Sequence, residues 1–131
     1  MAGVGEEDAA RQAEGGGRGM KFDLEKTGLE AVLLPWQAEL MRYVWEVGEI
    51  DSRRAHEHLQ GTEHGMSRAS VIFFLQEMVE EGFLGYGEKT GKGGYKGIWS
   101  PHPSALDESA FRQRVAERVL AKISEFRGAV A

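Results

Sequence analysis

The chain has no cysteine, no asparagine, only three prolines, and no stretch near the roughly 18 consecutive apolar residues that cross a bilayer. Without cysteine there is no disulfide, no thiolate metal site, no iron–sulfur cluster and no cysteine nucleophile. Positive charge is also scarce: 16 Lys and Arg stand against 21 Asp and Glu, a formal net charge of −5. That balance argues against broad, charge-driven nucleic-acid binding unless the bases gather on one face. Residues 1–20 lack the apolar centre of a secretory signal and carry Glu6, Glu7 and Asp8 instead. A cytoplasmic protein with no membrane partner is expected. What is present is 131 residues, 41% hydrophobic and 28% charged, which suits one globular domain with extensions.

Six of the 18 glycines precede Met20, interleaved with Ala and charges, and no helical or strand period survives there. Residues 1–27 therefore read as a flexible Gly-rich tail. Pro35 opens the first helix at a position where its missing N–H costs nothing. Trp36, Leu40, Val44 and Val47 follow at helical spacing, with Met41 and Trp45 widening the stripe, and Gly48 supplies the stop. After Ile50, Asp51 or Ser52 caps a short second helix that turns Ala55 and Leu59 inward. Ser67 caps a third helix over about 67–81, in which Val71, Phe74, Leu75, Met78 and Val79 form a clean amphipathic stripe. Two aromatic-rich segments, 83–89 and 95–100, joined by the glycine-rich tip 90–94, read as a β-hairpin. Ser104, with Asp107 three residues on, opens a last helix that carries Phe111, Val115, Val119, Ile123 and Phe126 and stops at Gly128.

The order predicts a mainly α fold with a small β-hairpin wing: a winged helix-turn-helix over 28–101, followed by a C-terminal dimerisation helix over 104–127. Within 35–100 ten acids outnumber seven bases, but six of the bases fall at the start of helix 2 (Arg53, Arg54), the start of helix 3 (Arg68) and the wing (Lys89, Lys92, Lys96). A helix-turn-helix meets DNA with the N-terminal part of its recognition helix while neighbouring elements hold phosphates. Ser67, Ala69, Ile72, Phe73 and Gln76 then fall on or beside the outward face of helix 3. Gln pairs with adenine, Arg with guanine or phosphate, and Ala or Phe touches a thymine methyl. Phe73, almost opposite the core stripe, has three readings: it presses on thymine methyls, it meets another protein, or a rotated helix buries it. With six bases per protomer, affinity requires two protomers or base contacts.

Phe111, Val115, Val119, Ile123 and Phe126 make a stripe wider than one small winged-helix module needs. Each large side chain buried contributes about 1.5–3 kcal/mol; packing against the first helix takes part of the stripe, and pairing with a second copy is expected for the rest. Pairing also sets two recognition helices on one face of DNA.

Leu29–Leu33, Pro35–Met41 and Val44–Gly48, then Ser67–Val71, Leu75–Leu84 and Trp99–Pro101, resemble the penicillinase-repressor family of bacterial winged-helix regulators. The resemblance implies a homodimeric repressor of operator DNA with a C-terminal dimerisation region. Two switches of that family have no counterpart here: the Asn-Phe bond cut in the penicillinase repressors, since the chain lacks Asn, and the paired Cys of the copper-responsive members.

Other constellations fall away. His56 and His58 are two apart on a helix and point about 200° from each other, so they cannot share an ion there; with His64, Glu57 and Glu63 they read as a surface helix and turn, the other reading being a dimer-bridging or effector metal. Gly91-Lys92 lacks the flanking residues of a phosphate loop. No Ser/His/acid set stands out, so neither catalysis nor a cofactor is expected. The other class of function is a winged-helix module that binds a protein and not DNA. The operator, the regulated genes, the inducing signal and the sign of regulation are not written in these residues.

Overall fold

The structure is a computed structural model and describes residues 21–130; the first twenty residues of the expected tail lie outside the described ones. A short 3₁₀ turn, Gly28–Ala31, buries Leu29 and Ala31, and the Asp23 amide donates to the Ala31 carbonyl at 2.7 Å. Then come α1 (Pro35–Val47), α2 (Ser52–Gln60), α3 (Arg68–Glu80), β1 (Leu84–Gly91), β2 (Gly94–Pro101) and α4 (Glu108–Val130).

Local chemistry sets most of these bounds. Pro35 occupies the first turn of α1, and the Gln37 side chain accepts from the Leu34 amide at 2.9 Å. Gly48, at φ 90°, ends the helix as only glycine does without strain. Asp51 caps α2 by accepting from the Arg54 amide at 2.8 Å, and Ser67 caps α3 by accepting from the Ser70 amide at 3.1 Å. The buried face of α3 is Val71, Phe74, Leu75 and Met78, the amphipathic stripe read from the sequence. It packs on α2 and on the start of β1. Ile50 exchanges backbone hydrogen bonds with Trp99 at 2.9 and 2.8 Å, tying the base of the wing to the α1–α2 junction.

Three details depart from the sequence reading. The strands run to Gly91 and from Gly94, so the ladder closes almost to the tip and leaves only Lys92 and Gly93 in the turn. Gly93 and Gly94, at φ 87° and 113°, permit that tight reversal. The cap of α4 is Asp107, which accepts from the Ala110 amide at 2.8 Å; the Ser104 hydroxyl is held by His102 Nδ1 at 2.8 Å. Gly128 does not stop α4, which continues to Val130.

The start of α4 belongs to the core. Phe111 is fully buried against Phe83 (ring centroids 4.5 Å) and Trp45 (5.6 Å), and Val115 is buried beside them. The Trp45 indole donates to the Ala105 carbonyl at 3.2 Å, anchoring the connection into α4. Val119 is half-buried at the edge, whereas Leu120, Ile123 and Phe126 are exposed. Of the five α4 residues expected at a dimer contact, Phe111 and Val115 therefore face the protomer's own interior.

Candidate nucleic-acid interface

The segment 49–54, which leads from α1 into the first turn of α2, is the hub on which five of the six sequence-singled bases meet. Arg53 and Arg54 rise from its helical end. Arg68, the first residue of α3, donates from Nη2 to Ser52 Oγ at 2.9 Å and so joins the starts of α2 and α3. Lys96 Nζ donates to Asp51 at 3.1 Å, and Lys89 Nζ to Glu49 at 2.7 Å. Lys92 stands apart, exposed in the wing turn.

Register explains the lysine pairing. Lys89 and Lys96 are directly opposite each other in the β1–β2 ladder and share one face. Like charges in that position destabilise a hairpin, and Glu49 and Asp51 neutralise them from below. Asp51 is the more constrained acid. Partial burial works to raise its pKa, but the Arg54 amide, the Lys96 hydrogen bond and charge, and the Arg53 charge outweigh it and hold the carboxyl below its ordinary range. Arg53 also pairs with Glu57 at 3.3 Å, and the Arg54 guanidinium stands 6.0 Å from the Tyr43 ring. Between wing and helices lies a cleft of about 1000 Å³ whose lining includes Asp51, Arg54, Lys89 and Lys96.

On α3, Ser67, Ala69 and Gln76 are exposed and Ile72 is half-buried. Phe73 is 47% exposed, which removes the reading of a rotated helix and leaves its ring on the outer surface. The histidines divide among separate partners. His58 donates to Glu39 at 2.7 Å and stacks on Tyr43 with centroids 3.8 Å apart, while His56 bonds Gln60 at 3.0 Å. Among the described residues no group of three or more His, Cys, Asp or Glu is placed to hold a metal. No helix among them is long and apolar enough to cross a membrane.

Some of the site was not anticipated. The acids Glu49 and Asp51 and the hydroxyl of Ser52 organise the bases. Cross-strand register would have paired Lys89 with Lys96 in advance; their acidic partners carry no local signal.

Three helices and a two-stranded wing, with bases around the starts of α2 and α3, define a winged-helix DNA-binding regulator. The family model described as penicillinase repressor matches residues 35–131, so the chain belongs to the penicillinase repressor family of DNA-binding transcriptional regulators, which are not enzymes. With that, the alternative of a module that does not bind DNA gives way. No curated protein matches the chain. Among solved structures it is similar to PadR of Bacillus subtilis, solved in complex with operator DNA, at 13% identity and a TM-score of 0.48. The likeness covers 66% of this chain and 47% of that one, so the chain spans about half of PadR's length.

Proposed function

We propose that the protein is a cytoplasmic homodimeric repressor whose winged-helix reading head, 28–101, sets α3 into the major groove of double-stranded operator DNA. In this reading Arg53, Arg54, Arg68, Lys89, Lys92 and Lys96 hold phosphates. Ala69, Ile72, Phe73 and Gln76 meet base edges, and Ser67 fixes the first turn of α3 against the backbone. The observation that carries it is the clustering of cations about 49–54 beside the first turn of α3, on a chain whose net charge is −5. A molecule this acidic approaches a polyanion only through such a face.

The second half of the proposal is the dimer, formed through α4, Glu108–Val130. Val119, Ile123 and Phe126, joined by Leu120, are large apolar residues of α4 that the protomer leaves wholly or partly uncovered, and a second copy is the occupant that also supplies a second reading head. The occupied ion pairs bear on affinity: Lys89, Lys96 and Arg53 must each exchange a carboxylate for a phosphate. That exchange limits what each phosphate contact adds, so affinity comes from two protomers or from base contacts.

The test is gel retardation of the DNA upstream of the protein's own gene at moderate salt, alongside sedimentation equilibrium. Wild type is expected to retard that DNA and to sediment at twice 14.5 kDa. Arg68→Ala with Lys92→Ala is expected to retard it at least tenfold more weakly. No retardation at micromolar protein, or equal retardation by the double variant, would refute the assigned footprint.

A further inference from the structure

The C-terminal end of α3 is gripped from the side by α4. Arg114 Nη1 donates to the Gly82 carbonyl at 2.6 Å. Arg118 Nη1 donates to Glu81 Oε1 at 2.6 Å, and its Nη2 donates to the Glu81 carbonyl. Both guanidinium carbons lie 4.6 Å from the centroid of the Phe83 ring, which is itself fully buried. These groups satisfy the carbonyls of the two residues that follow α3, Glu81 and Gly82, and they place positive charge at the negative end of the helix dipole. The two arginines are one turn apart and so share one face of α4.

Their position along α4 matters as much as their bonds. Val115 is buried, Val119 is half-buried, and Leu120 and Ile123 are exposed. The clasp therefore sits where α4 passes from the part built into the protomer to the part that extends beyond it. From Arg118 to Val130 the helix is a lever of roughly 18 Å at 1.5 Å per residue. A tilt of about 10° at the clasp moves its far end by roughly 3 Å, close to the rise of one base pair.

We infer that Arg114 and Arg118, acting with Glu81, are positioning residues that fix the angle between the recognition helix and the protruding half of α4. Through that angle they set the separation of the two recognition helices, and so the half-site spacing the protein accepts. The inference rests on the homodimer proposed above. Arg114 and Arg118 touch no DNA in this scheme; they decide where the second reading head falls.

Because the chain has no cysteine, Glu80→Cys gives one nitroxide per protomer, near the gripped end of α3. Double electron–electron resonance on the full chain then reads the distance between protomers. A single narrow distribution is expected in that background. With Arg114→Ala and Arg118→Ala added, it is expected to be at least twice as wide. Glu81→Gln, which removes one carboxylate charge and leaves the backbone contacts, is expected to widen it less, and it decides the matter should the double variant fail to fold. Selection from a random duplex library is expected to give one half-site spacing for wild type, and several spacings of the same half-site for the arginine variant. Unchanged widths together with an unchanged single spacing overturn the positioning role. No distance between protomers in the labelled parent, with a mass of 14.5 kDa, overturns the dimer instead, and the two failures are thereby distinct.

Discussion

Lys92 differs from the other wing lysines in a way that decides what its removal does. Lys89 and Lys96 are tied to Glu49 and Asp51, so truncating either also strands an acid beside the site. Lys92, in the turn, makes no ion pair among the described residues. Lys92→Ala is therefore expected to leave the urea midpoint of unfolding unchanged and to weaken binding to all sequences alike. The plot of log affinity against log salt is expected to flatten by about one unit per protomer, the yield of one lost phosphate contact. A salt slope equal to that of wild type would remove Lys92 from the footprint. Gln76 makes the opposite case. It is exposed on the outer face of α3, and its amide matches an adenine edge. Gln76→Ala is expected to keep the salt slope and relax preference at one base pair by about 1–3 kcal/mol, read by competition between single-base operator variants. Uniform weakening across those variants would place Gln76 outside the base-reading set.

At the scale of elements, the junction of wing and α2 is an electrostatic joint with Asp51 at its centre. Asp51 caps α2 and holds Lys96 of β2, and its carboxyl is kept below the ordinary range. A carboxylate whose pKa is depressed by folding stabilises the fold above its unfolded value, and that stability is lost as pH falls through the folded value. Asp51→Asn keeps a capping oxygen and removes the charge. The gap in urea midpoint between wild type and this variant is expected to be constant above about pH 5 and to close as pH falls below the usual carboxylate range. A gap that persists unchanged into strong acid would mean the charge contributes nothing. The same joint shows what was legible in the chain. The Ser67 cap, the stripe of α3 and the stop at Gly48 are all chemistry within a few residues, and they appear in the fold as read. The sequence reading leaves the glycine-rich tip 90–94 outside the strands, since glycine is a weak strand former. In the fold, positive φ at Gly93 and Gly94 spends that freedom on a two-residue turn. The sequence places the start at Ser104, but the helix opens at Glu108 with Asp107 as its cap, while the Ser104 hydroxyl bonds the His102 ring. Lys89 and Lys96 find acids 40 and 45 residues away. Such pairings depend on how β1 and β2 pack against the α1–α2 junction, and no local pattern announces them.

For the molecule as a whole, α4 is one helix whose burial changes near Arg118. Its first turns close the protomer's core, and its last turns stand outside it. The apolar spacing is continuous from Phe111 to Phe126, so periodicity allows part of the stripe to pack within the protomer but does not say which part; Phe83 and Trp45 fix the division by claiming Phe111. The two halves should therefore answer differently to mutation. Phe111→Ala opens a cavity among packed rings and is expected to lower the unfolding free energy by about 3–5 kcal/mol, whatever the oligomeric state. Ile123→Asp with Phe126→Asp changes side chains that are 47% and 71% exposed in the protomer and leaves its core intact. Far-UV circular dichroism is expected to stay that of the parent, and sedimentation to give 14.5 kDa in place of twice that mass. Operator retardation is expected to fall by about a hundredfold or more, because two linked reading heads bind with an advantage of that order over one. The lone protomer should still recognise a single half-site, weakly and with the same base preference, since nothing on α3 has changed. A double variant that remains a dimer at micromolar concentration would move the interface off the end of α4, and the lever that ends there would then join nothing.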